Sequence, residues 1–352
     1  MSTFYPLKVK NIESVAKDAV AVTFDIPLQY IPLFRYKQGQ YITLKLNINN
    51  ENIIRSYSIC TNPYSEKELK IAVKEVQDGK MSSYLNKLLK IGDTIEVMPP
   101  AGKFYTELIG TNQKQYVFFA GGSGITPILS IIKSTLYLEK QSRIILFYAN
   151  KETDNIIFQK DIELLEKNNS NLKVFYIFDK APNNYPAEQS GYLDENKISV
   201  LLNKNNALNA DDFFICGPIP MMQTLEKSLL SLNINALKIH IEYFTAIENN
   251  NNAPTTNEPT IESNVTVILY GIETNFKLNS NGISILDAAI QEGVDAPFSC
   301  KGGVCSTCRA KIVEGKAIMK VNYALTDQEV ADGYILTCQA HPTSEKIIVD
   351  YD

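Results

Sequence analysis

No stretch of this chain approaches 18 uninterrupted apolar residues, which excludes an ordinary membrane-spanning helix. The first twenty residues, MSTFYPLKVKNIESVAKDAV, contain acids and no apolar run, so no signal peptide is expected. There is no basic stripe. Lys and Arg number 34 against 39 Asp and Glu, and nucleic-acid binding has no support. Internal repeats are missing as well. Histidine is scarce, with only His240 and His341 in 352 residues.

What is present is an ordinary globular composition, 45% hydrophobic and 21% charged, with a length that suggests two or three domains. The net charge of −5 is unevenly placed. From Ile261 onward the chain carries 7 Lys and Arg against 12 Asp and Glu, while the preceding residues balance. An acidic C-terminal unit is a docking face for a basic partner, or simply a solubilising surface.

Cys300, Cys305 and Cys308, followed after 29 residues by Cys338, give the spacing C-x4-C-x2-C…C. That is the plant-type pattern for a [2Fe–2S] cluster held by four thiolates. In the loop CKGGVCSTC, Gly302 and Gly303 permit a tight bend that aims backbone N–H groups at sulfur. A zinc site would more often show two C-x2-C pairs, and a Rieske centre needs two suitably spaced histidines. Cys60 and Cys216 are left as reduced thiols, as expected for a cytoplasmic protein.

The segment ENNNNAPTTNEPT, residues 248–260, reads as a flexible linker. The expected organisation is a β-barrel over residues 1–106, an α/β domain over 107–247, that linker, and a cluster domain over 261–352. Short alternating or β-branched runs, including Ala19–Ile26, Gln40–Leu46, Ser56–Ile59, Leu69–Val76 and Thr94–Met98, predict a six-stranded Greek-key barrel. One helix is expected at Ser82–Leu89, capped by Ser82 or Ser83. From about Tyr116 strands alternate with helices, the pattern of a parallel sheet. The last segment mixes strands with one helix at Ser284–Glu292, which suits a β-grasp fold.

Arg55-Ser56-Tyr57-Ser58 ends a barrel strand; alone it is a surface Arg beside a half-buried Tyr. About twenty residues later QDGKMSSYL places a glycine before a helix start, an anion site suited to a pyrophosphate. Together these describe a flavin nucleotide site. Gly121-Gly122-Ser123-Gly124-Ile125-Thr126-Pro127 lies between a strand and a helix, where open α/β sheets bind nucleotides. It is neither a Walker loop nor the G-x-G-x-x-G fingerprint. Cys216-Gly217-Pro218 ends a later strand; in isolation it is a strand-to-helix turn with a buried Cys. In His240-Ile241-Glu242-Tyr243-Phe244 the terminal aromatic covers a flavin face or is core.

Taken in order, RSYS, DGKMSSYL, GGSGITP, CGP and IHIEYF resemble the ferredoxin–NADP reductase superfamily. With CKGGVCSTC and YILTCQAHP placed C-terminally, the layout is similar to oxygenase reductases, those of phenylacetyl-CoA epoxidases above all. The resemblance implies FAD, a [2Fe–2S] cluster, and NADPH or NADH as donor. It implies that Arg55 binds the flavin pyrophosphate, that Tyr57 stacks beside the isoalloxazine with Ser56 in the same motif, and that Ser58 bonds near N5. Gly79, Met81 and Ser82 would hold the pyrophosphate. Gly121, Gly122, Gly124 and Thr126 would line the nucleotide site, with Cys216 and Gly217 near the nicotinamide. Glu242 and Phe244 would close the reductase unit with roles that vary between relatives. Lys151, after FYAN, would favour NADPH. The implied acceptor is a di-iron oxygenase component; a ring hydroxylase, a desaturase, a hybrid-cluster protein or a sensory role are the alternatives.

Overall fold

The computed structural model describes residues 3–181, 185–245 and 261–352; the expected linker lies outside them. Strands β1 (Tyr5–Ala16), β2 (Ala19–Asp25), β3 (Tyr41–Ile48), β4 (Glu51–Ser58), β5 (Leu69–Lys74) and β6 (Thr94–Ala101) pair antiparallel in the order β4-β3-β6-β1-β2-β5. A bridge between Ile59 and Ile71, with Cys60 N–H donating to the Lys70 carbonyl at 3.0 Å, joins the two ends. This is the expected barrel. Alternate side chains such as Leu7 and Val9, Ile42 and Leu44, and Ile95 and Val97 fill its interior.

The barrel helix α1 spans Lys80–Lys87 and corrects the sequence reading. It begins two residues earlier than expected, with Gly79 at its N-cap and no side chain capping it. The Ser82 hydroxyl instead accepts from Val76 N–H at 3.1 Å and donates to the Gly79 carbonyl at 3.2 Å, pinning the turn before the helix. The first-turn N–H groups are therefore left without a side-chain acceptor.

Next come β7 (Gln115–Gly121), α2 (Ile125–Leu138), β8 (Arg143–Asn150), α3 (Gln159–Asn168), β9 (Leu172–Phe178), α4 (Glu195–Lys204), β10 (Asp212–Cys216), α5 (Ile219–Ser231) and β11 (Ile239–Glu242). The five strands are all parallel, in the order β11-β10-β7-β8-β9. Covered on both faces, β7 is a continuous apolar run from Tyr116 to Ala120. The strand order reverses between β7 and β10, so the crevice beyond their carboxyl ends is where such a sheet takes a ligand.

The last unit has β12 (Glu262–Leu269), β13 (Ile272–Asn279), α6 (Ile285–Gln291), β14 (Arg309–Glu314), β15 (Ala317–Met319), α7 (Asp327–Ala331), β16 (Tyr334–Leu336), β17 (Ala340–Pro342) and β18 (Lys346–Asp350). Its main sheet runs β13-β12-β18-β14-β16, with β12 and β18 parallel and the other pairs antiparallel. Ser284 caps α6 by accepting from Asp287 N–H, and the buried Ile285, Leu286 and Ala289 seat the helix on the sheet. This is the β-grasp arrangement, and it leaves the long cysteine loop between α6 and β14.

Candidate functional site

All four cysteines of the motif converge. The Cys305 thiol donates to Cys300 Sγ at 3.2 Å, and Gly302 N–H donates to the same sulfur at 3.3 Å. Cys338 follows β16 and hydrogen-bonds to both Cys300 and Cys308. Its strand end is pinned to the loop, because Thr337 donates from Oγ1 and from N–H to the Cys308 carbonyl, at 2.9 and 3.2 Å. Hydrogen bonds from Cys305 and Cys338 hold the Cys300 thiol well below the usual thiol range, and the partners that supply those protons are pushed up. Gly303 sits at φ +72° with the Val321 carbonyl 3.0 Å from where a Cβ would stand, so only glycine fits the bend. Four soft sulfur donors, sheltered from water and fed by backbone N–H groups, fit a [2Fe–2S] cluster.

A cavity of about 270 Å³ joins this loop to the barrel and to the end of β11. Tyr41, Arg55, Ser56 and Ser58 line it from the barrel, Glu242 and Phe244 from the nucleotide unit, and Cys300 and Cys305 from the cluster loop. Alternation along β4 puts Arg55 and Tyr57 on one face and Ser56 and Ser58 on the other. Tyr57 turns against the barrel core and does not line the cavity; burial pushes its phenol up. Ser56 Oγ is held 2.8 Å from Thr43 Oγ1. The Arg55 guanidinium donates to the Ile54 carbonyl at 2.7 Å. Burial pushes the Glu242 carboxyl up to about 8, against a lowering by Lys103, so it holds a proton at neutral pH. The polar walls, the cation at the rim and the uncapped start of α1 fit a flavin nucleotide. Met81 itself points into the barrel core.

A second cavity, of about 510 Å³, opens at the carboxyl ends of β7, β8 and β9. Gly121, Gly122, Asn150, Lys151, Tyr192 and Met221 are among its walls. The glycines of this loop divide by role. A Cβ on Gly124 would stand 2.0 Å from the Cys216 carbonyl, and one on Gly121 2.6 Å from Pro218 Cδ; both let the β7 and β10 loops pack together. Gly217 does the same, for a Cβ there would stand 2.6 Å from Met221 Cε and 3.0 Å from Gly121 Cα. Only Gly122, at φ +51°, faces open space. Thr126 is buried and donates to the Ser123 carbonyl at 3.0 Å, fixing the turn rather than lining the cavity. Cys216 is buried beside Glu242, its parallel-strand neighbour, and lines neither cavity; burial pushes its thiol far up.

The sequence reading missed Tyr41 and Asn150. Both end or begin strands in apolar runs, QYITLKL and IILFYAN, where nothing in the pattern distinguishes a wall residue from core.

Comparison with known proteins agrees with this geometry. Residues 6–105 match the oxidoreductase FAD-binding domain, 118–227 the oxidoreductase NAD-binding domain, and 267–343 the 2Fe-2S iron-sulfur cluster binding domain. The chain is 36% identical over 358 residues to a subunit of 1,2-phenylacetyl-CoA epoxidase from Escherichia coli (strain K12), covering 100% of this chain and 99% of that one. It is 32% identical over 323 residues to the ferredoxin reductase component of 3-ketosteroid-9-alpha-monooxygenase from Mycobacterium tuberculosis (strain ATCC 25618 / H37Rv), covering 90% and 86%. Phthalate dioxygenase reductase superposes with a TM-score of 0.58 at 25% identity, over 99% of this chain and 98% of that structure. With a barrel, a parallel sheet and a cysteine cage that meet at one cavity, the chain belongs to the family of FAD- and [2Fe–2S]-dependent NAD(P)H reductase components of oxygenases.

Proposed function

We propose that this chain is the reductase component of a phenylacetyl-CoA epoxidase, acting in the cytoplasm and drawing on NADPH. The observation that carries the reading is the junction cavity, where Ser56, Ser58 and Arg55 face Cys300 and Cys305 across one small space. Identity of 36% along the full length of a phenylacetyl-CoA epoxidase component supports the choice of partner. The proposed division of the chain is residues 1–106, 107–247, a connecting stretch at 248–260, and 261–352. When bound, FAD accepts a hydride, and the cluster hands on electrons singly to the oxygenase.

The protein's own residues bind and orient. Arg55 neutralises the flavin pyrophosphate, and the uncapped start of α1 at Gly79, Met81 and Ser82 presents N–H groups to it. Ser58 and Ser56 offer hydroxyls to the polar edge of the ring from the cavity wall, while Tyr57 supports that wall from the barrel side. Phe244, partly exposed at the mouth, covers the ring face, and Glu242 keeps a proton at its carboxyl beside it. Gly122 admits the nucleotide pyrophosphate to the backbone, and Gly121, Gly124 and Gly217 shape the crevice that receives it. Thr126 and Cys216 hold the two turns in place. Lys151 supplies the positive charge for a 2′-phosphate. Cys300, Cys305, Cys308 and Cys338 hold the cluster.

Reconstitution tests the partner. NADPH-driven epoxidation of phenylacetyl-CoA should need this chain together with the oxygenase components of such an epoxidase. Coupled turnover with a ring hydroxylase or a steroid monooxygenase but not with the epoxidase would move the assignment to another oxygenase.

A further inference from the structure

Tyr41 joins the two redox sites directly. Ser306 N–H donates to Tyr41 Oη at 3.0 Å, and Ser306 Oγ lies 3.1 Å from the same oxygen. Ser306 stands between Cys305 and Cys308, so the phenol grips the cluster loop at its centre. At its other end Tyr41 opens β3 opposite Ser58 on β4. The ring is only 4% exposed and rests on Gly102, where φ is +110° and a Cβ would stand 2.9 Å from Tyr41 Cε1. A rigid two-torsion arm thus runs from the strand beside the proposed flavin motif to the loop that holds three of the four cysteines.

A buried aromatic at the start of a barrel strand is ordinarily packing, and a phenylalanine would serve that end. The hydroxyl is what packing leaves unexplained. Its hydrogen-bond partners among the described residues are both on Ser306, and leaving a part-buried N–H unmade is costly. Two other contacts reinforce the same junction. Ser299 Oγ donates to the Ile54 carbonyl at 2.8 Å, and Lys103 Nζ to the Leu325 carbonyl at 3.1 Å.

We propose that Tyr41 is a positioning residue for electron transfer: its hydroxyl, accepting from Ser306 N–H, fixes the cluster loop at a set distance across the flavin cavity. The transfer it would position moves one electron from the reduced flavin to one ferric ion. The two electrons of a hydride would leave in two such transfers, with the hydride's proton released from the flavin to solvent and the oxygenase re-oxidising the cluster between them. This rests on the flavin-to-cluster path given above.

The test is anaerobic stopped-flow absorbance on the holoenzyme, which separates flavin reduction by NADPH from later cluster reduction. Tyr41→Phe should slow the cluster phase about tenfold, what one partly buried hydrogen bond is worth, and leave the flavin phase within about twofold. An unchanged cluster phase in Tyr41→Phe, or equal slowing of both phases, overturns the proposal. Wild-type protein whose flavin is reduced while its cluster stays oxidised overturns the electron path itself and Tyr41's role with it. Independently of any variant, the Ser306 amide of the wild-type holoenzyme should be protected from hydrogen exchange; exchange as fast as an open loop amide would overturn the contact.

Discussion

Glu242 carries a cost that its position makes unavoidable. It ends β11 beside the buried Cys216, and burial raises its carboxyl to about 8 from an ordinary value of 4.5. Between those values the folded protein keeps a proton that the unfolded chain releases, so stability falls as pH rises through that window and levels off above it. Glu242→Gln removes the dependence. The variant should be more stable than the parent by on the order of a few kcal/mol at pH 9 and nearly equal at pH 4.5, read from denaturant midpoints of the holoprotein. Parallel pH profiles for the two proteins would show that the carboxyl is not buried in this way. At this scale the sequence was legible where chemistry demands a spacing, as at Cys300, Cys305 and Cys308. It was silent at Tyr41, because the partner that gives its hydroxyl a purpose lies 265 positions away.

Elements were legible where periodicity is strong and obscured where a local hydrogen bond competes. The continuous apolar runs of β7, β8 and β10 announce a parallel sheet. Strand β1, YPLKVKNIESVA, is too polar to stand out, with only Leu7 and Val9 fully buried. Ser82 looks like a helix cap by residue type, yet its hydroxyl is used on the turn before α1. In the loop after β7, identical residues do different work. Gly124→Ala drives a Cβ into the Cys216 carbonyl and should cost several kcal/mol or prevent folding. Gly122→Ala meets no atom and should cost only about 1 kcal/mol of left-handed strain while weakening nucleotide binding. Thermal midpoints and NADPH titrations of the two variants check the contrast; equal losses of stability would contradict it.

Across the whole molecule the cluster loop is turned inward, with Gly302, Gly303, Val304 and Cys305 buried and Val304 packed among the apolar residues of the nucleotide unit. Its domain nevertheless carries the whole net charge of −5. That division suits two separate tasks, receiving electrons at a fixed junction and meeting a partner through long-range attraction. Raising ionic strength from about 0.01 M to about 0.15 M shortens the screening length from about 30 Å to about 8 Å. It should therefore slow delivery to the oxygenase severalfold while leaving intramolecular cluster reduction unchanged. A salt-independent delivery rate would reduce the acidic surface to a solubilising one. The electron path itself is tested most directly by mixing the anaerobic holoenzyme with NADPH and following absorbance in time. The flavin band should bleach first and the cluster bands fade second, in one molecule and without added carrier. Flavin and cluster that both stay oxidised, or a cluster reduced before the flavin, would contradict the path from nucleotide through flavin to iron.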